Sequence, residues 1–287
     1  MSDISFNLSG RIDPLLVKVL GSVNRTATEL NIPFFVVGAM ARDLVLEFCY
    51  NLPSRRSTQD LDIGVEVAGW EEYQKLTDAL VSTGEFEPAR EPQMLMHGDF
   101  RVDIVPFGQI SPDQKNISWP PDHAIIMSVL GFKEAFDYSQ SIQIHDDPDL
   151  VLRVPTIPGM ALMKIIAWHD RYPERPKDAE DLLFLMEHYS EAGNEDRLFG
   201  QEVHFMELEG FDPAMAGIRL LGHDMALMVT PATRKLVFEI LSNALDKPQD
   251  HRLIRDMAGP AYTTREQFGE IRAKIERLRQ GFSFKTI

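Results

Sequence analysis

The hydrophobic pattern of this 287-residue chain changes period once, near Pro158, and no other feature constrains the fold as strongly. Upstream, short runs of β-formers alternate with helix-period stretches. Downstream only helical spacing remains, with apolar residues recurring three and four positions apart. The length suits two lobes. The pattern predicts an α+β protein, a small mixed sheet flanked by helices followed by an all-helical C-terminal lobe. The boundary falls near 155, dividing the chain into 1–155 and 156–287.

Within the first lobe, Leu15, Leu16, Val19, Leu20, Val23 and Leu30 predict a helix over 13–31, ended by Pro33. The run Phe34-Phe35-Val36-Val37 reads as a strand stopped by Gly38, with a helix over 40–50. Strands follow at 60–67, 93–97 and 101–106, with a helix at 70–83 before the last two. The stretch 108–123, with Pro112, Pro120 and Pro121, reads as a loop able to cover a site. Further strands are expected at 141–145 and 151–154, around a short helical piece. Helices are expected in the second lobe near 158–171, 177–189, 195–208, 212–228, 231–244 and 264–280.

Carboxylates stand where a strand interior calls for apolar residues. Asp60 and Asp62 are two apart in Thr58-Gln59-Asp60-Leu61-Asp62-Ile63, so a strand projects both to one face. Two carboxylates that close repel unless a cation sits between them or one keeps its proton. Asp103, in Arg101-Val102-Asp103-Ile104-Val105, is placed to be a third ligand on another strand of the same sheet. Such a set suits Mg²⁺, a hard ion that keeps waters and shares its sphere with substrate phosphates. The simpler alternatives are an edge strand with solvated acids for Asp60 and Asp62, and an ion pair with Arg101 for Asp103.

Three further segments carry chemistry. Gly38-Ala39 opens a helix after a strand, where free N–H groups favour an anion, and Arg42 lies one turn in. Arg56 and Thr58 directly precede the aspartate pair. Lys164 sits among Leu162, Met163, Ile165 and Ile166, either snorkelling or placing its charge on a phosphate. Asp178 and Asp181, three apart, share a helix face. They are expected to pair with Lys164 or Arg171, or to cap the helix beginning near Lys177.

Other chemistries are disfavoured. The eight histidines are scattered without ligand spacing, and neither a P-loop nor a Gly-x-Ser-x-Gly elbow occurs. Cys49, the one cysteine, excludes an intrachain disulfide and reads as a small buried hydrophobe. No apolar run is long enough to span a bilayer, and the N-terminus lacks a signal-peptide pattern, so a cytoplasmic protein is expected. The 29 basic and 44 acidic residues give a net charge of −15, which opposes non-specific nucleic-acid binding. The tail from His251 runs the other way, with eight Lys/Arg against four acids. It reads as a solvated amphipathic helix or a small basic face.

Gly38-Ala39 after a strand, Asp60-x-Asp62 on the next and Asp103 on a later one together resemble the DNA polymerase β-like nucleotidyltransferase superfamily. Gly38-Ala39-Met40-Ala41-Arg42-Asp43 is similar to the Gly-Gly-x-x-Arg-Asp of CCA-adding and poly(A) polymerases. Lys164…Arg171…Lys177-Asp178-x-x-Asp181-Leu182 resembles the AbiEii/AbiGii nucleotidyltransferase-like toxins. The likeness covers roughly residues 33–190. It implies a nucleotidyltransferase core in 1–155, and a helical lobe in 156–287 completing the nucleotide and acceptor site. The implied reaction is Mg²⁺-dependent transfer of an NMP from an NTP to an acceptor hydroxyl. In the toxins that acceptor can be the tRNA 3′ end, and an antitoxin is an implied partner.

The resemblance makes Asp60, Asp62 and Asp103 metal-binding and catalytic, with Asp103 helping to deprotonate the acceptor. Lys164 would neutralise phosphate charge. Gly38, Ala39, Arg42, Arg56, Thr58, Asp178 and Asp181 would line the nucleotide. The superfamily usually has Gly-Ser or Gly-Gly where this chain has Gly38-Ala39. Phosphate contact therefore falls to backbone N–H groups, Arg42 or Arg56. Two alternatives stand beside this reading: a degenerate member that binds nucleotide or a partner without turnover, and an enzyme modifying a small cationic acceptor.

Overall fold

Asp13 starts the first helix, α1 (Pro14–Glu29), by accepting hydrogen bonds from the N–H groups of Leu15 and Leu16. Pro14 fits the first turn because its missing N–H would have had no helical partner. The buried stripe Leu16, Val19, Leu20, Val23 and Ala27 follows helical spacing. In the computed structural model, residues 4–52, 60–247, 251–259 and 264–284 are described. The chain divides into two units, Met1–Thr156 and Ile157–Ile287.

The first unit is built on a five-stranded sheet of β2 (Phe34–Val37), β3 (Asp60–Glu66), β4 (Glu87–Pro88), β5 (Met94–His97) and β6 (Phe100–Phe107). Their order is β2-β3-β6-β5-β4. The β3–β6 pair is parallel and the others antiparallel. Parallel neighbours need a crossover, and α3 (Trp70–Ser82) lies in the connection. Leu61, Ile63, Val65, Val102 and Ile104 are buried along one side of β3 and β6. On the alternate positions, Phe35 and Phe107 meet Phe132 and Phe136 of α4 (Phe132–Asp137) edge-on or tilted. A three-stranded sheet joins β1 (Ile4–Asn7), β9 (Gln140–Asp146) and β10 (Asp149–Val154) in the order β1-β9-β10.

The stretch expected to be a loop contains a strand. β7 (Asn116–Trp119) pairs antiparallel with β8 (Ile125–Ser128), because Ile117 and Trp119 alternate inward and bury while Pro112 precedes β7 and Pro120 and Pro121 fall in the connecting turn. The helix after Gly38 begins earlier than expected, as α2 (Gly38–Asp43), and continues as a π-helical segment, Leu44–Cys49.

The second unit is helical: α5 (Ile157–Asp170), α6 (Pro176–His188), α7 (Glu195–Phe199), α8 (Val203–Leu208), α9 (Pro213–Met228), α10 (Pro231–Asp246), α11 (Arg252–Ala258) and α12 (Arg265–Phe282). Asp212, Thr230 and Thr264 cap α9, α10 and α12. The single helix expected over 195–208 is two, separated at Gly200-Gln201. α11 was not anticipated; its seven residues give too short a repeat to register, although Leu253, Ile254 and Met257 are buried. The basic groups of α12 are largely paired inside the unit. Lys274 meets Glu187 at 2.5 Å, Arg277 meets Glu209 at 3.1 Å and Arg279 meets Asp246 at 2.9 Å. Of the two alternatives for the tail, these pairs favour the amphipathic helix over a basic face.

Candidate active site

β3 lies between β2 and β6, so the edge-strand alternative for Asp60 and Asp62 is excluded. The parallel register sets Asp60 opposite Arg101 and Asp62 opposite Asp103. Paired residues on adjacent strands are about 4.8 Å apart, so two carboxylates stand side by side on one face. On the other flank Val37 pairs with Asp62, which brings the Gly38 turn to the same point. Asp60 is exposed and Asp62 half-buried.

Gly38 has φ +69°, a left-handed conformation that costs any other L-residue energy. A Cβ there would lie 2.1 Å from Asp62 Oδ2, far inside contact distance. The main chain thus closes on the carboxylate in a way only glycine permits. Val37, the residue before α2, makes no side-chain cap. The helix therefore begins without a side-chain acceptor from that position competing for its first N–H groups.

Arg42 is buried and pairs with Asp43, its Nε and Nη2 donating to Oδ1 at 2.9 and 2.7 Å. Sequence reasoning gave Asp43 no role. The Arg-Asp adjacency was the available signal, and the side chain serves Arg42. Cys49 is half-buried and its thiol is pushed up to about 12, chiefly by desolvation, which keeps it out of nucleophilic chemistry. Arg56 and Thr58 lie outside the described residues.

Asp103 is held by Arg101. Nε donates to Oδ1 at 3.0 Å and Nη2 to Oδ2 at 2.6 Å, a two-pronged pair in which the aspartate side chain is 13% exposed and the arginine 40%. Those bonds raise the Arg101 pKa against its desolvation, and the charges of Asp103, Asp60 and Asp62 add to the effect. Among the described residues, no three His, Cys, Asp or Glu side chains converge closely enough to hold a metal ion together. Asp60, Asp62 and Asp103 nevertheless match a hard divalent ion in donor chemistry and in register. Both Asp103 oxygens are engaged by the Arg101 guanidinium.

In the second unit, Lys164 Nζ lies 2.7 Å from both Asp178 Oδ1 and Asp181 Oδ2. Of the alternatives open to Asp178 and Asp181, pairing with Lys164 is the one both adopt. Burial works against the ammonium, but the two carboxylates outweigh it and hold the pKa above its ordinary value. Asp178 Oδ2 is buried without a hydrogen-bond partner among the described residues. An oxygen in that state costs free energy unless a donor reaches it.

The family comparison places the chain among the nucleotidyltransferases. The chain belongs to the AbiEii family: the family described as "Nucleotidyl transferase AbiEii toxin, Type IV TA system" matches residues 24–257. Comparison with curated proteins finds no match. Among solved structures, the antibiotic-resistance factor ANT(2'')-Ia is similar at 14% identity and TM-score 0.38, covering 69% of this chain and 98% of that one. A CCA-adding enzyme in complex with ATP is similar at 16% identity and TM-score 0.32, covering 92% of this chain and 68% of the other. The Thermotoga maritima CCA-adding enzyme complexed with tRNA gives 14%, 0.32, 92% and 67%. At these TM-scores the likeness adds nothing to the family assignment.

Proposed function

We propose that the chain transfers an NMP from an NTP to an acceptor hydroxyl with the help of Mg²⁺. The observation that carries the proposal is the placement of Asp62 beside Asp103, with the Gly38 main chain closed on Asp62. Asp60, Asp62 and Asp103 would hold the metal, which when bound would supply positive charge to stabilise the charge that develops on the phosphate during transfer. The chain's own part is positioning and electrostatics.

Gly38 and Ala39 would present main-chain N–H groups to the phosphates, a task that needs no hydroxyl at position 39. Arg56 and Thr58 would join them at the nucleotide, with Arg42 held in place by Asp43. Asp103 would accept the proton of the attacking hydroxyl once it is released from Arg101. Lys164, with its charge secured by Asp178 and Asp181, would act on phosphate charge. Asp178 and Asp181 would hold Lys164 in place or contact the base or ribose of the nucleotide.

The acceptor is best sought in two classes. The resemblance to nucleotidyltransferase-like toxins favours a tRNA 3′ end, and the family description, a toxin of a toxin–antitoxin system, favours an antitoxin partner. The net charge of −15 favours a small cationic acceptor. Incubation with each of the four α-³²P-labelled NTPs, Mg²⁺, and either total tRNA or an aminoglycoside separates them. Label is expected in one acceptor class, and Asp60→Ala/Asp62→Ala is expected to abolish it. Label that survives the double substitution would exclude this site.

A further inference from the structure

Arg101 is the one basic residue whose guanidinium bridges both oxygens of Asp103 in the described structure, and the charges of Asp60 and Asp62 reach the same group. Its own side chain is 40% exposed, so it has solvent on one side into which it can withdraw. Register explains why it sits there. Arg101 is two residues before Asp103, on the same face, and directly opposite Asp60. Among the described residues, Arg101 therefore shares one end of two adjacent strands with Asp60, Asp62 and Asp103.

A guanidinium and a divalent cation satisfy the same carboxylate in mutually exclusive ways, because each takes up the lone pairs the other needs. We infer that Arg101 is a built-in counter-ion of the aspartate cluster, holding Asp103 until a divalent cation displaces it. Arg101 then lowers the affinity of the nucleotide-free protein for metal while keeping the three carboxylates from repelling one another. A loss of arginine accordingly tightens metal binding. That gain is the opposite of what damage to a structural ion pair would produce. The inference rests on the metal-site reading proposed above.

The test is titration of the full, nucleotide-free chain with Mn²⁺, following free Mn²⁺ by electron paramagnetic resonance. Arg101→Gln is expected to bind Mn²⁺ about fivefold more tightly than the wild type, the size of a partly exposed ion pair. Arg101→Lys is expected to fall between them, since an ammonium keeps the charge but cannot hold both oxygens at once. This variant also carries the test if Arg101→Gln does not fold, as judged by circular dichroism. Asp62→Asn is expected to abolish the binding. Unchanged or weaker binding by both arginine variants, with Asp62→Asn still abolishing it, would overturn the role of Arg101 alone. Full binding by Asp62→Asn would overturn the metal site and this inference together.

Discussion

A methyl group on Gly38 would collide with Asp62 and force a left-handed backbone on alanine. Gly38→Ala is therefore expected to lose about 1–2 kcal/mol of stability from the backbone alone, and to lose nucleotidyl transfer because Asp62 must move. Thermal melts beside the labelling assay check both; an active variant would mean that Asp62 need not sit where it does. Lys164 makes a second claim at this scale. Lys164→Met leaves two mostly buried carboxylates without their cation, a change expected to cost about 3–5 kcal/mol in urea denaturation. Its titration has a definite sign. The folded pKa is raised, so the stabilisation is complete below the unfolded value of about 10.4 and is lost as pH rises through the folded value. The wild type should therefore lose more stability than Lys164→Met as pH is raised past about 10.4; equal losses would remove Lys164 from the account.

At the scale of elements, α9 and α12 cross so closely at Gly222 and Gly281 that neither position has room for a Cβ. A Cβ on Gly281 would lie 1.8 Å from the Arg219 carbonyl oxygen, and one on Gly222 would lie 2.1 Å from that of Leu278. Gly281→Ala is expected to destabilise the protein by about 1–3 kcal/mol through overpacking. Gly269→Ala, on the same helix with open space around it, should instead stabilise by up to about 1 kcal/mol through helix propensity. Two substitutions of one kind with opposite signs, read by urea denaturation, isolate the packing; equal signs would contradict it. The sequence could not show this contact, because glycine spacing looks the same whether or not another helix lies against it.

What was legible in the sequence follows the same logic. The strands bearing Asp60, Asp62 and Asp103 stood out because carboxylates interrupt an alternating apolar pattern, and their shared sheet followed from the strand–helix order. Their exact pairing did not, since register depends on partners 41 residues apart in the chain, as Asp62 and Asp103 are. Arg101 was visible as a neighbour of Asp103, and the two-residue spacing alone licensed the pair that is seen. The hairpin of β7 and β8 was hidden by Pro112, Pro120 and Pro121, which read as loop although they leave Ile117 and Trp119 free to bury. The break between α7 and α8 was signalled by Gly200 and outweighed by the flanking helical spacing.

On the scale of the whole molecule, the charge of −15 and the pairing of the α12 basic groups leave little to attract a polyanion. Non-specific affinity for RNA at physiological salt is expected to be weaker than about 10⁻⁴ M, the weak end of the usual range, by fluorescence anisotropy. Micromolar binding to arbitrary RNA would contradict the charge argument. If the acceptor is a tRNA end, it must be taken by a few specific contacts. Among the described residues no helix is long and apolar enough to cross a membrane.

The central claim is transfer of an NMP, carrying the α-phosphorus, from an NTP to the acceptor hydroxyl at this aspartate cluster, and paired labelling tests it most directly. The protein is incubated with Mg²⁺, acceptor and one NTP carrying ³²P at either the α or the γ position. The account predicts label on the acceptor from the α position only, release of the γ label as pyrophosphate, and neither event with Asp62→Asn. Transfer of the γ label, or α transfer undiminished in Asp62→Asn, would contradict it.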